Sequence, residues 1–90
     1  MQMTYKKAFK KLDKYLTNLQ CSIDNEEWFF VYDDRVKLND VLIELDNKLE
    51  KTTINSIEEK KIKDEYFKLK DEVYFYLNLA SEELSNNMIK

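Results

Sequence analysis

The chain of 90 residues contains no glycine, no proline and no histidine, and it has a single cysteine and a single tryptophan. Without glycine, the glycine-rich loops that bind phosphate and the Asn-Gly or Asp-Gly turns that join paired strands are excluded. Without histidine, the usual imidazole base, histidine-containing zinc sites and Ser–His or Cys–His nucleophile pairs are also excluded. These absences favour an all-α fold and argue against an enzyme, and we expect neither a cofactor nor a metal site.

Cys21 is the one cysteine, so no disulfide can form within these residues and the fold does not depend on an oxidising compartment. We expect Cys21 to be a small half-buried residue, with a reactive thiol or an intermolecular bridge as the alternative. No apolar run approaches the roughly 18 residues that a transmembrane helix needs. Lysines interrupt the N-terminal segment where a signal peptide would be apolar. We therefore expect a cytoplasmic protein that has no membrane partner.

Apolar residues recur at spacings of three and four in three segments, which predicts three amphipathic helices. They are expected over about residues 4–20, 25–51 and 57–84, followed by a frayed tail at 85–90. The predicted fold is a small three-helix bundle forming one domain over residues 1–90. In this bundle, helices 2 and 3 form a long antiparallel hairpin, and the shorter first helix packs against it.

Two capping boxes are candidates for the starts of the second and third helices. Asp24 with Glu27 would begin helix 2, and Ser56 with Glu59 would begin helix 3. The pair Asp33–Asp34 could cap a shorter second half, which leaves open a division of helix 2 into two helices. Both possibilities are compatible with a helical bundle.

Two aromatic stretches, "EEWFFVYDDR" at residues 26–35 and "EVYFYL" at 72–77, also contain good strand-forming residues. Two isolated strands would make only a marginal sheet, so the helical interpretation is preferred. The aromatic residues of helix 3, which include those of the second stretch, suggest either core or an aromatic binding site. We expect core, with Tyr74 or Phe75 exposed; the set is Tyr66, Tyr74, Phe75 and Tyr76.

On a helix, residues 28–32 point in all directions and begin two apolar stripes. The first stripe contains Trp28, Val31, Leu38, Leu42 and Leu45, and the second contains Phe29, Tyr32, Val36 and Ile43. A helix in a three-helix bundle has two neighbours, so we expect both stripes to face inwards. Phe30 belongs to neither stripe, and we expect it on the outer side near Val41.

Acidic residues share this expected outer side. Residues 21–50 as a whole hold nine acidic and three basic side chains, a net charge of −6. The simple interpretation is a solvated face with one scattered exposed aromatic residue. The functional interpretation is an aromatic anchor with an acidic rim that binds a partner protein, such as a nucleic-acid-binding enzyme with a basic cleft. The candidate partner-binding residues are Phe30, Asp33, Asp34, Lys37, Asp40, Val41 and Glu44.

Helix 1 has the opposite charge, because residues 1–20 hold five lysines and one acid, a net charge of +4. Its lysine face could approach phosphates or an anionic bilayer, or could simply be solvated. The single arginine and the net charge of −3 for the chain argue against direct nucleic-acid binding. The candidate residues of this face are Lys6, Lys7, Lys10, Lys11 and Lys14.

The functional hypothesis is a non-enzymatic inhibitor or regulator that binds another protein and blocks it by shape and charge. Small acidic helical proteins of this type include antitoxins, immunity factors and phage-encoded inhibitors, although fold alone does not assign a function. The abundance of lysine over arginine is typical of an AT-rich coding source such as a low-GC bacterium or its phage. The alternatives are a nucleic-acid-associated factor that uses the lysine face and a homodimeric structural protein.

Overall fold

The computed structural model describes residues 3–88, which form three α-helices joined by two short connections. Helix α1 spans Tyr5–Asp24, α2 spans Trp28–Leu49 and α3 spans Ile57–Met88. The predicted all-α bundle is confirmed, and no strand occurs among the described residues. The alternative of strands at the two aromatic stretches is wrong, because residues 28–35 and 72–77 lie within α2 and α3.

Contacts between α2 and α3 show that the two helices are antiparallel, as predicted. The Arg35 Nε atom donates a hydrogen bond of 3.2 Å to the carbonyl oxygen of Leu77, and the Tyr66 hydroxyl donates one of 3.0 Å to Asp46 Oδ1. Moving forward along α2 therefore corresponds to moving backward along α3. Arg35 lies between Val31 and Leu38 in the spacing of the first apolar stripe, and its side chain joins the two helices.

Helix α1 is antiparallel to α2, since Lys11 lies 3.6 Å from Glu44 while Ser22 donates a hydrogen bond of 2.6 Å to Asp34. It packs against both other helices, and it contacts each of them more than they contact each other. The first helix therefore packs against both helices of the antiparallel pair, as predicted. Its apolar side is the most completely buried part of the chain, with Ala8, Leu12 and Leu19 fully shielded from solvent.

The core is one continuous cluster to which all three helices contribute at helical spacing. No buried polar or charged residue and no unpaired buried side-chain polar atom occurs in the part of the chain that is described. The buried residues are Ala8, Leu12, Leu16 and Leu19 of α1, Val31, Leu38, Val41, Leu42, Leu45 and Leu49 of α2, and Tyr66, Leu69, Val73, Leu77 and Ala80 of α3.

The prediction for the orientation of α2 is only partly right. The stripe of Val31, Leu38 and Leu45 is buried as expected, with Trp28 half-buried at its start. The second stripe, which begins at Phe29, was expected inside but is exposed, whereas Val41 was expected outside but is buried. The reason is the position of α1, which lies on the side of α2 that carries Val41. The complete exposed stripe is Phe29, Tyr32, Val36 and Ile43.

The connection between α1 and α2 differs from the predicted capping box. Helix α1 continues through Asp24, so this residue is helical and cannot adopt the extended conformation of an N-cap. The N-cap of α2 is Glu27, whose side chain makes no capping hydrogen bond. Glu26 between the helices has a φ of 55°, in the left-handed region that glycine would usually occupy. Helix α2 then continues through Asp33–Asp34 without the break that the sequence left open.

The capping box predicted at the start of α3 is present in a modified form, with the reciprocal bond made to the residue before Ser56. The backbone N–H of Glu59 donates to Ser56 Oγ at 3.1 Å, while the Glu59 carboxylate accepts a hydrogen bond of 3.1 Å from the backbone N–H of Asn55. The preceding connection is held to the start of the chain, since the Thr52 hydroxyl donates to the carbonyl oxygen of Met3 at 2.9 Å. These bonds fix the end of the bundle at which α2 ends and α3 begins.

Helix α3 determines the length of the molecule. Its 32 residues span about 48 Å at 1.5 Å per residue, close to the longest dimension of 51 Å. It continues through Met88 rather than ending at residue 84 with a frayed tail, and residues 89 and 90 of the predicted tail lie outside the described residues. None of the helices described between residues 3 and 88 is long and apolar enough to cross a lipid bilayer.

Candidate functional site

Phe30, the predicted aromatic anchor, lies on the surface of α2 with 54% of its area exposed. Its ring contacts the edge of Phe29, with 6.1 Å between the ring centroids. Val41, predicted beside it, is only 8% exposed and belongs to the core. Val41 lies about three turns from Phe30 and so on the same side of α2, but it is buried in the core and cannot contact a partner.

Two of the predicted acids, the half-buried Asp34 and the exposed Glu44, contact side chains of α1. Asp34 accepts the hydrogen bond from Ser22. Glu44 accepts a hydrogen bond of 2.9 Å from Lys48 and lies close to Lys11; the bond from Lys48 first, and then the charge of Lys11, lower the pKa of the Glu44 carboxyl. These acids stabilise the contact of α2 with α1.

The remaining polar residues of the predicted set are exposed on α2. Asp33 forms an ion pair of 2.9 Å with Lys37 one turn later, and this hydrogen bond raises the pKa of the Lys37 ammonium. Asp40 is exposed and makes no ion pair within residues 3–88. The structure thus places Phe30, Asp33, Lys37, Asp40 and Glu44 at the surface, whereas Asp34 is half-buried and Val41 is buried.

The most exposed apolar feature of α2 is the stripe that the sequence analysis assigned to the core. Phe29 is 76% exposed, Tyr32 60%, Val36 39% and Ile43 53%. We call these four residues the α2 stripe. Their spacings of three, four and seven place them on one side of the helix, which is the pattern of a helix that packs against another helix. The heptad spacing was visible in the sequence, but the side of α2 that remains open depends on where α1 and α3 pack.

Helix α3 carries exposed aromatic residues of its own. Phe67 and Tyr74, seven residues apart, are 44% and 47% exposed, and Phe75 is 61% exposed. The prediction that Tyr74 or Phe75 would be exposed is confirmed for both residues, whereas Tyr66 is buried as expected for core. Because a helix turns by about 100° per residue, Phe75 projects from a different side of α3 than Tyr74.

A polar network joins α2 and α3 at the seam between these surfaces. Asp46 of α2 accepts the hydrogen bond from the Tyr66 hydroxyl and forms an ion pair of 2.8 Å with Lys70. Burial, and then the hydrogen bond to Asp46, raise the pKa of the Tyr66 phenol, while the bond to Asp46 raises the pKa of the Lys70 ammonium. The network holds the two helices in a fixed register and so fixes the relative position of the side chains beside it.

The predicted lysine face of α1 is mostly at the surface. Lys6, Lys7, Lys10 and Lys14 are exposed, whereas Lys11 is half-buried and lies close to Glu44. Part of this face therefore contributes to the contact with α2. Nucleic-acid binding by the exposed lysines stays a prediction.

Other chemistry finds little support in the described part of the chain. Cys21 is exposed, so the prediction that it would be half-buried is wrong; it lies on the outward side of α1. No group of three or more histidine, cysteine or acidic residues that could hold a metal ion occurs among residues 3–88.

Comparison of the chain with protein families, with curated proteins and with solved structures found no match. The function has to be argued from the surfaces of this molecule alone.

Proposed function

We propose that the protein is a non-enzymatic regulator that binds another protein and blocks it by shape and charge. The observation that supports this proposal is the α2 stripe. Four large apolar side chains are exposed at helical spacing on α2, although the opposite side of the same helix already supplies six residues to the core. Folding does not require these exposed residues, and contiguous exposed apolar surface is typical of sites that bind other proteins.

Aromatic residues strengthen the proposal. Phe29, Phe30 and Tyr32 lie within four consecutive positions of α2, and all are more than half exposed. Large aromatic side chains contribute much of the binding free energy at protein interfaces, since they remove a large area from water at a small cost in conformational entropy. The surface that we propose is therefore centred on the α2 stripe with Phe30 at its edge, and it replaces the predicted set that included Val41.

The test uses the wild-type protein as bait in a lysate of the cells that produce it, followed by binding measurements with the purified partner. The double substitution Tyr32→Ser and Ile43→Ser should weaken the complex by about tenfold or more, because it removes exposed apolar area from the contact. Phe75→Ser is the matched control, since Phe75 is as exposed as Tyr32 but projects from α3. The proposal would be contradicted if the double variant still bound the partner while the Phe75→Ser control no longer bound it.

A further inference from the structure

The outer face of the α2–α3 pair has an apolar strip on each side of its polar seam. Asp46 of α2 and Lys70 of α3 meet at the seam at 2.8 Å. Ile43 lies three residues before Asp46, and Tyr74 lies four residues after Lys70, so each belongs to the helical turn next to the seam. The α2 stripe therefore faces the same side of the molecule as Phe67 and Tyr74 of α3.

We call the face formed by Tyr32, Val36 and Ile43 of α2 and Phe67 and Tyr74 of α3 the outer trough. All five side chains are exposed. The α2–α3 seam below the trough is closed by the contacts of Asp46 with Tyr66 and Lys70. A helix laid along this seam would complete a four-helix bundle, which is a standard way to cover such a face.

The edge of the trough on α2 is acidic. Asp40 follows Val36 by four residues and precedes Ile43 by three, while Asp33 precedes Val36 by three, so both carboxylates lie beside the apolar strip. Both aspartates are exposed. Asp33 pairs with Lys37, but Asp40 makes no ion pair within the described residues.

The edge of the trough on α3 is also acidic, with the same spacing. Asp71 follows Phe67 by four residues and precedes Tyr74 by three, and Asp64 precedes Phe67 by three. Both aspartates are exposed, and neither makes an ion pair in the part of the chain that is described. The trough therefore lies between two rows of carboxylates.

The lysines closest to the trough already have contacts within the molecule. Lys70 pairs with Asp46 at the seam, and the Lys63 ammonium lies 5.9 Å from the ring centroids of both Tyr5 and Phe67. The hydrogen bond to Asp46 raises the pKa of Lys70 most and the charge of Asp71 contributes less, so both edges of the trough remain predominantly acidic. An anionic partner would meet repulsion from both edges, and a cationic partner would meet attraction.

Building on the proposed function, we propose that the outer trough binds a cationic amphipathic α-helix of another protein. The partner helix would place apolar residues, at heptad spacing, against the apolar strips and lysine or arginine residues against the aspartates on both edges. The α2 stripe extends over 14 residue steps, or about 21 Å, so a partner helix of about 15 residues would cover it.

A second copy of this chain does not fit the trough. If two α2 helices packed in antiparallel orientation with Phe29 of one copy level with Ile43 of the other, Asp33 of one copy would lie close to Asp40 of the other. If α2 of one copy instead packed on α3 of the other, the aspartates of α2 would meet Asp64 and Asp71. Like charges placed opposite each other destabilise a contact, so charge favours a different, basic chain.

The test is a selection from a displayed library of 22-residue helical peptides. Each peptide carries leucine, isoleucine or phenylalanine at heptad positions a and d, with lysine, glutamate or alanine varied at e and g. We expect peptides rich in lysine to be enriched on the wild-type protein. The double substitution Asp40→Lys and Asp71→Lys changes one residue of each row without removing an ion pair. It should weaken the best peptide by about tenfold and shift the selection towards glutamate.

The control for the change in charge is Glu65→Lys with Glu72→Lys. These two exposed acids are seven residues apart on the side of α3 near Phe9 of α1. This variant should bind the selected peptide within about twofold of wild type, because its charges lie away from the trough. Selection without preference for lysine, or no enrichment of any helix, would overturn this inference, as would a wild-type dimer that dissociates on Tyr32→Ser. In that case the bait experiment decides the proposed function separately. If it yields a partner whose binding depends on Tyr32 and Ile43, the proposed function stands, and only the inference that the partner is a cationic helix is rejected.

Discussion

Glu26 occupies a left-handed backbone conformation, with φ of 55°, between α1 and α2. A side chain with a Cβ atom in this region costs about 1–2 kcal/mol, and glycine avoids the cost but loses roughly 0.4–1 kcal/mol through its greater freedom in the unfolded chain. We expect Glu26→Gly to raise the free energy of unfolding by about 0.5–1 kcal/mol, measured by urea denaturation.

The adjacent residue provides the control for this prediction. Asn25 has φ of −88°, which any residue can adopt, so glycine gains nothing there and loses entropy. Asn25→Gly should therefore lower the free energy of unfolding. If Glu26→Gly also lowered it, the connection between α1 and α2 would not carry the strain that its backbone angle indicates.

Tyr66 should make the stability of the protein depend on pH in alkaline solution. In the unfolded chain a tyrosine ionises near its ordinary pKa of about 10. In the folded protein, burial and the hydrogen bond to Asp46 raise the pKa of Tyr66, so the folded state keeps a proton that the unfolded state releases. The unfolded state binds fewer protons above pH 10, and the free energy of unfolding therefore falls as the pH rises through that range. Lys70, whose pKa is also raised, acts in the same direction.

Tyr66→Phe removes the ionising group of this pair while Asp46 keeps its ion pair with Lys70. We expect the variant to lose about 1 kcal/mol at neutral pH, because one hydrogen bond is missing. Between about pH 10 and 12 its free energy of unfolding should fall less steeply than that of the wild type. The measurement is urea denaturation at several pH values, with the exposed Tyr32→Phe as control. Equal slopes for Tyr66→Phe and the wild type would contradict the prediction.

At the scale of the helices, α2 has two apolar sides, and either could pack in a core. The structure predicts that a valine on one side matters for folding and a valine on the other does not. Val41→Ser should lower the free energy of unfolding by about 2–3 kcal/mol, since it removes buried apolar area and buries a hydroxyl. Val36→Ser, the same change on the exposed side, should cost less than about 1 kcal/mol.

This pair of variants decides between the orientation of α2 in the structure and the orientation that the sequence predicted. The predicted orientation placed Val36 inside and Val41 outside, so it requires the reverse order of stabilities. Thermal or urea denaturation of both variants is sufficient, because the substitution is the same and both positions lie in the middle of one helix. A larger loss for Val36→Ser would make the α2 stripe part of the core and would remove the basis of the proposed function.

The comparison of α2 with α1 and α3 shows what the sequence alone could predict. Helices α1 and α3 each carry one dominant apolar side, and their predicted core residues, such as Leu12 and Val73, are buried. Helical periodicity determines which residues share a side, but it does not determine which side faces a neighbour. On α2, where two stripes compete, that choice depends on the packing of α1. The α2 stripe lies on the helix for which the sequence analysis predicted partner binding, and Phe30 and Asp40 are exposed as expected, but the residues of the stripe were assigned to the core.

At the scale of the whole molecule, the three helices share one core, and no helix has a core of its own. A domain of 90 residues has a free energy of unfolding of about 5–13 kcal/mol, so the loss of one well-packed side chain affects the entire fold. Because α1 lies against both other helices, a destabilising substitution in α1 should lower the stability of α2 and α3 alike. The single tryptophan, Trp28, reports on the start of α2, while circular dichroism reports on all three helices.

Leu16 is a residue of α1 with only 2% of its area exposed. We expect Leu16→Ala to lower the free energy of unfolding by about 2–5 kcal/mol, because the substitution removes buried apolar area and leaves a cavity. In a urea titration, Trp28 fluorescence and helical circular dichroism should move together to the same lower midpoint, as a two-state transition requires. The control Ile43→Ala removes a side chain of the same size from the exposed side of α2, and it should leave both curves nearly unchanged. If the circular dichroism curve of Leu16→Ala separated from the fluorescence curve, α3 would be stable without α1, and the single shared core that connects the three helices would be the wrong description.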